Sequence, residues 1–292
     1  MGSDIKQQVS EFYNQIGWQE VGDGGECRYQ NAQYEDLRPV SREYIHKCHQ
    51  RVARHLTPVG KYLLDAGSGP IQYPEYLEYS KGYQRRVCAD ISVVALQEAR
   101  KRIGDAASGG HGLFVVCDIA NLPFKQEVFD GMVSLHAIHH LTDQEHPRAY
   151  EELHRVLAVG HTGVIVNGWD SASLAQLADG LVRLVANWRA GRKDRPATPA
   201  VPSFGTASHP TGTFVRKHNA TWLKRVIGSH IPFRIWVWRS VNVHFLRTFV
   251  HERWGGRFWL RVLYWLEERF PHFLGKNGQY PLIVIQKRQA IP

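Results

Sequence analysis

With 292 residues, 43% hydrophobic and 22% charged, the chain is long enough for about two average domains, or one with a large insertion, and can bury a core. No apolar run approaches the roughly 18 residues of a membrane span, the N-terminus lacks a signal-peptide apolar core, and Lys6 stands where N-myristoylation needs Ser or Thr, so a cytoplasmic chain is expected. Residues 1–180 carry 17 Lys/Arg against 23 Asp/Glu, whereas residues 181–292 carry 19 against 4 and seven of the nine tryptophans, which suits the second stretch to an anionic partner.

Residues 1–60 read as polar, mainly helical material with apolar pieces at 9–16 and 44–56. A buried strand begins at Tyr62-Leu63-Leu64 and ends in a glycine-rich turn. Further short apolar runs follow at 86–89, 113–117, 131–135 and 163–166, with helices predicted at 93–103 and 144–157. The second helix opens with Thr142-Asp143-Gln144-Glu145, a capping-box sequence. Strands alternating with helices predict a parallel sheet covered on both faces. Residues 190–212 hold four prolines and three glycines and read as a linker or active-site loop. Beyond it come a helix at 220–227, a strand at 233–241, a helical stretch at 245–270 broken at Gly255-Gly256, and a last strand at 280–286.

The informative segment is Leu64-Asp65-Ala66-Gly67-Ser68-Gly69-Pro70. A strand ending in Asp-x-Gly-x-Gly lets a ligand approach the backbone twice, at the end of the sheet where ligands bind. A dinucleotide fingerprint would need a third glycine where Gln72 stands, and Pro70 and Pro74 remove two amide donors from a pyrophosphate site. The next strand ends in Asp90-Ile91, 21 residues after Gly69, where a carboxylate can accept both hydroxyls of a ribose. The third ends in Asp118-Ile119, suited to the amine and the face of an adenine. The fourth, through Ser134, runs into His136 and His139-His140. Taken singly, Asp65 as a cap, the glycines as a turn and Asp118 as the opener of Asn121-Leu122-Pro123 are ordinary features; their joint order at successive strand ends is not. The four cysteines, Cys27, Cys48, Cys88 and Cys117, have no Cys-x-x-Cys spacing and read as reduced thiols, with no metal site.

In this order the segments resemble the class I S-adenosylmethionine-dependent methyltransferases, over about residues 60–168, and within them the small-molecule branch that includes ubiquinone-type and sugar O-methyltransferases. The resemblance implies an α/β, Rossmann-like seven-stranded mixed sheet with its last strand antiparallel and helices on both faces; here a C-terminal helical insertion precedes that strand. It implies S-adenosylmethionine as cofactor, with Gly67 and Gly69 along its methionyl part, Asp65 near its amino group, Asp90 and Ile91 at the ribose, Asp118 and Ile119 at the adenine, and Ser134 on the fourth strand beside them. It divides the chain into a helical cofactor lid (1–58), a cofactor-binding core (59–189) and an acceptor-side segment that completes the sheet (190–292). In the lid, Tyr13 and Trp18 are placed to cover the cofactor and Arg38 to meet its carboxylate.

A hydroxyl acceptor needs a base, and His139 and His140 stand where related sugar O-methyltransferases carry a histidine pair. Those relatives add an acid after the fifth strand; this chain has Asn167 there, with Asp170 three residues later. His209, Arg216 and His218 are candidate acceptor contacts in the segment where relatives build the pocket. Ser134-Leu135-His136-Ala137 replaces the Asn/Asp-Pro-Pro-Tyr/Phe of amine-directed nucleic-acid enzymes, and no cysteine follows a proline, so nucleic acid is disfavoured, ribose methylation excepted. The expected reaction is O-methylation of a small-molecule or glycan hydroxyl, lipid-linked ones included. Small-amine N-methylation, RNA methylation and a non-catalytic scaffold are the alternatives.

The insertion carries Phe258, Trp259, Val262, Leu263, Leu266 and Phe270 as one helical stripe, widened by Leu260 and Trp265 and flanked by Arg253, Arg257, Arg261 and Arg269. Packing on the sheet edge, peripheral contact of 245–270 with the inner face of a membrane, and a dimer face are its three readings.

Overall fold

Short runs of β-branched and aliphatic residues bury both faces of a central sheet in the computed structural model, which describes residues 2–19, 29, 34–190 and 212–288. Strands β1 (Gly60–Ala66), β2 (Tyr83–Asp90), β3 (Gly112–Val116), β4 (Gly131–Leu135), β5 (Thr162–Val166), β6 (Phe233–Arg239) and β7 (Tyr280–Gln286) lie in the order β3-β2-β1-β4-β5-β7-β6. The first five are mutually parallel, and β7 runs antiparallel to both β5 and β6. Strand order reverses between β1 and β4, and the crevice at their carboxyl ends is where such sheets bind ligands.

The helices are α1 (Gly2–Phe12), α2 (Pro39–Gln50), α3 (Glu75–Glu78), α4 (Val93–Ile103), α5 (Glu145–Val156), α6 (Ser173–Ala190), α7 (Ala220–Trp222, continued by a π-turn through Ile227), α8 (Val243–Phe249), α9 (Gly256–Arg269) and α10 (Pro271–Asn277). Alternation along the strands divides the core. Leu64, Val87, Met132 and Ile165 pack on Leu153, Val156 and Leu157 on one face, and Leu63, Val133, Val164 and Leu282 pack with Val52, Tyr79 and Trp238 on the other. The α5 capping box forms in part: Thr142 donates to Glu145 Oε2 through its backbone N (3.1 Å) and its Oγ1 (2.7 Å), so the hydroxyl serves the glutamate and not a backbone N–H.

The insertion departs from the sheet-edge packing of its apolar stripe. Gly256, Leu260 and Glu267 form the buried line of α9, with Leu263 and Tyr264 half-buried beside them against α2 and α8. Phe258, Trp259, Trp265, Leu266 and Phe270 face outward. The inward face is fixed instead by Glu267, fully buried, which accepts from Tyr44 Oη (2.7 Å), Arg51 (2.9 Å), Ser240 N (2.8 Å) and Ser240 Oγ (2.6 Å). A buried carboxylate with four donors sets the rotation of this helix, although most of its large apolar side chains then face outward.

Removing that carboxylate strands a buried guanidinium. Glu267→Ala is expected to cost ~3 kcal/mol, the low end for a broken buried pair because Glu268 still reaches Arg51 at 3.0 Å. The check is a urea unfolding series beside Glu268→Ala, which should stay within about 1 kcal/mol of the native protein.

Candidate active site

The turn after β1 is built by backbone that only glycine adopts without strain. Gly67 (φ 73°) and Gly69 (φ 54°) are left-handed, and the Gly67 and Ser68 amides both donate to Ala89 O, at 2.7 and 3.3 Å. A Cβ on Gly67 would fall 2.2 Å from Ala137 Cβ, and one on Gly69 would fall 3.1 Å from the Trp18 ring. Of the three non-glycine residues in the left-handed region among the described residues, two flank the site, Ile71 (φ 54°) after this turn and His136 (φ 56°) at the end of β4, while Glu127 (φ 60°) does not line it. Strain of this kind, roughly 1–3 kcal/mol each, concentrates where a surrounding site over-determines the backbone.

These turns open onto a cavity of about 410 Å³. Its first half is walled by Asp65, Gly67, Gly69, Asp90, Ile91, Asp118 and Ile119, so the strand-end residues meet. Asp90 accepts from Gly69 N and Ser92 N, both at 2.8 Å, and burial lifts its carboxyl to about 6. Asp65 is buried against the Arg86 guanidinium. Asp118 accepts from Lys6 Nζ (2.6 Å) and Ala120 N (2.9 Å), so α1 is pinned across this half. Tyr13 and Trp18 stack at 5.2 Å and also line it. Ser134 does not: it is fully buried inside β4, and its neighbour Leu135 reaches the cavity. Arg38 is also elsewhere, held by Asp36 (2.7 Å) and Leu246 O (2.9 Å).

The second half is walled by Glu35, Tyr73, His136, His139, Lys217, Arg239 and Tyr280, among others. Arg239 is paired with Glu35, whose other oxygen lies 3.9 Å from His49 Nε2; His49 Nδ1 lies 3.3 Å from Glu75. Against the cost of burial, Arg239 and His49 draw Glu35 down to about 2, and His49 draws Glu75 to a similar value. Lys217 makes no ion pair or hydrogen bond among the described residues, and burial lowers its pKa.

The adjacent histidines differ. His140 is used on both sides: Nδ1 lies 2.7 Å from Phe214 O and Nε2 lies 2.8 Å from Tyr13 Oη. A carbonyl can only accept, so Nδ1 carries the proton and Nε2 accepts from the tyrosine. Burial holds His140 at about 4. His139 Nδ1 is buried with no partner, and burial beside His140, His136 and Lys217 keeps the ring well below the usual imidazole range, hence neutral.

The acceptor candidates of the C-terminal stretch do not converge. Arg216 points outward to Asp143 (2.7 Å), and His218 stacks on Trp222 at 3.7 Å; neither lines the cavity, and His209 lies outside the described residues. Residues 212–219 run without regular structure, and Gly212, Thr213, Val215 and Lys217 line the cavity. Alternation along an extended segment carries that signal, but nothing in the sequence fixes its phase. Asn167 is buried and Asp170 exposed, both away from the cavity.

Residues 64–165 match the family model described as a methyltransferase domain. The matched segment runs from β1 into β5, about a third of the chain, and is similar to the core of class I S-adenosylmethionine-dependent methyltransferases. The chain is 30% identical over 138 residues to a probable tRNA methyltransferase 9B of Mus musculus, covering 46% of this chain and 28% of that protein. It is 26% identical over 170 residues to the tRNA (carboxymethyluridine(34)-5-O)-methyltransferase alkbh8 of Xenopus tropicalis, covering 48% and 25%. The chain thus spans about a quarter of the length of these curated relatives. Phosphoethanolamine N-methyltransferase 1 of Haemonchus contortus, solved with phosphoethanolamine and S-adenosylhomocysteine, shares the fold at a TM-score of 0.58 and 8% identity, covering all of this chain and 51% of that one. S-adenosylmethionine is the cofactor of this class, and the first half of the cavity fits it: two glycine approaches that a Cβ would fill, and carboxylates at the ends of β2 and β3.

Gly67→Ala combines a left-handed φ with a Cβ collision and is expected to destabilise the fold by ~3 kcal/mol. Gly160→Ala, also left-handed (φ 84°) but with nothing within 4 Å of the new carbon, should cost only ~1 kcal/mol in the same thermal unfolding comparison.

Proposed function

We propose that this chain transfers a methyl group to an oxygen of a small-molecule or glycan acceptor seated in the second half of the cavity. The observation that carries the reading is His139, a neutral imidazole in the cavity wall with Nδ1 free of any partner. The bound cofactor supplies an electrophilic methyl on a sulfonium. In this reading Gly67 and Gly69 admit its methionyl backbone, Asp90 accepts from the ribose hydroxyls, Asp118 and Ile119 take the adenine, and Asp65 stays with Arg86 near the amino group. Tyr13 and Trp18 roof the site and exclude water, which leaves positioning as the main source of acceleration. His139 takes the acceptor's proton as the oxygen attacks the methyl, and its low basicity matches an acidic hydroxyl such as a phenol. His140 acts as a positioning residue, tying Tyr13 of the roof to the segment at Phe214.

An amine acceptor would want an unpaired carboxylate beside it. Glu35, Asp65, Asp90 and Asp118 each already hold a cation or backbone N–H, whereas Lys217 faces the cavity as a cation without a partner among the described residues. That balance favours oxygen over nitrogen. The second reading, an RNA acceptor, is favoured by the names of the curated relatives and by the basic second stretch. It requires a nucleotide to enter the same cavity and RNA affinity that falls steeply with salt.

The first test is calorimetric titration with S-adenosylmethionine and S-adenosylhomocysteine, with tight binding expected for the native chain and at least a tenfold loss in Asp90→Ala; absence of native binding would overturn the reading. Because Asp90 titrates near 6, its carboxylate is lost as pH falls through that value. S-adenosylhomocysteine affinity should drop about tenfold between pH 7.5 and 5 in the native chain and stay flat in Asp90→Asn. With an acceptor in hand, His139→Ala should lower kcat about 10²–10⁴-fold at unchanged cofactor affinity. His140→Ala should instead weaken cofactor binding by loosening the roof.

A further inference from the structure

The outward face of α9 and the start of α10 is an exposed aromatic surface that the cavity leaves unused. Phe258, Trp259 and Trp265 are each 61–62% exposed, and Leu266, Phe270 and Phe273 continue the surface. Phe258 and Trp265 are seven residues apart, two helical turns, and Val262 and Leu266 fall alongside them. The opposite side of α9 is taken by Leu260 and the Glu267 network, so the helix cannot turn these rings inward without unpairing a buried carboxylate.

The charges around the rings have one sign. Glu252 is engaged by Arg257 at 2.7 Å, Glu267 by Arg51, and Glu268 by Arg51 and Arg54. Among the described residues Arg253, Arg269 and Lys276 form no ion pair, and the first two lie over the faces of Trp254 and Phe270, at 5.0 and 5.3 Å. No helix among the described residues is long and apolar enough to cross a membrane. Exposed aromatic rings on a surface helix, with free cations at its end and on the segments directly before and after it, match the boundary between acyl chains and anionic headgroups, where rings enter the interface and guanidiniums remain at phosphate level.

We propose that this face docks on anionic lipid membranes, with the rings of Phe258, Trp259 and Trp265 inserted and Arg253, Arg269 and Lys276 on the headgroups. A second copy of the chain would also cover the rings but would not use three unpaired cations of like sign, which repel across an isologous contact.

Flotation of the full chain with phosphatidylcholine vesicles, with and without 30% phosphatidylglycerol, tests this. Binding is expected on the anionic vesicles, weakened at least tenfold by Phe258→Ser/Trp259→Ser/Trp265→Ser and by Arg253→Gln/Arg269→Gln. Native tryptophan emission should shift to the blue on binding. All five side chains are outward, so unfolding midpoints should match the native protein. The proposal is overturned if the native chain does not float with anionic vesicles at low salt, or if the triple variant floats as well as the native chain. It is equally overturned if sedimentation shows a dimer, or titration an RNA affinity, that the triple variant loses while vesicle binding is absent.

Discussion

A guanidinium buried at the end of β6 must be neutralised, and the surroundings of the cavity follow from how Arg239 achieves it. Its partner, Glu35, comes from the segment before α2; Glu35 in turn faces His49 on α2, and His49 faces Glu75 at the start of α3. One chain of charge therefore joins the antiparallel edge of the sheet to two segments of the first eighty residues. The same device recurs twice: Arg51 of the segment after α2 with Glu267 of α9, and Arg86 of β2 with Asp65 of β1. A buried pair is a poor source of net stability but a severe penalty when misassembled, so these pairs act as registration points for the pieces that surround the core. They also explain the insertion. A helix held by a buried carboxylate needs little of its apolar surface for attachment, and the remainder is left outside.

The histidines at the end of β4 illustrate how neighbours in sequence are separated by hydrogen-bonding demand. A short 3₁₀ turn at Ile138–His140 gives successive side chains different directions. His140 meets the tyrosine of the roof and the carbonyl of Phe214, which fixes its tautomer and removes its free lone pair. His139, a residue of the cavity wall, is left with a buried Nδ1 that has no partner. Desolvation lowers both, but only for His139 does the neutral ring retain a vacancy for a proton.

What the sequence disclosed follows from which signals are local. The strand-end turn at Asp65–Gly69 was legible because a left-handed backbone selects glycine, and β7 because seven apolar-rich residues from Tyr280 admit little else. The inward residues of 212–219 were not, since Arg216 and Lys217 are chemically similar and only tertiary contact decides which of two adjacent cations is enclosed. The orientation of α9 was hidden for a related reason. Periodicity identifies an apolar stripe but assumes that the stripe is buried; Glu267, which the pattern assigns to solvent, wins because Tyr44, Arg51 and Ser240 reach it together from α2, the segment after it and the end of β6. Glu35 likewise sits in an unpatterned polar stretch, and its importance depends on a partner two hundred residues away.

The lopsided charge of the chain acquires a spatial meaning in the cavity. The first 180 residues carry the acid excess and provide Asp65, Asp90 and Asp118 to the half that fits a cationic, hydroxyl-rich cofactor. The second stretch carries the base excess and provides Lys217 and Arg239 to the other half, along with the free cations beside the rings of α9. Three imidazoles, His136, His139 and His140, line the same cavity, and their burial holds them neutral, so they add no charge of either sign. Most of these charges are countered where they stand, Asp65 by Arg86, Asp118 by Lys6 and Arg239 by Glu35, which leaves Lys217 as the cation of the second half without a partner among the described residues.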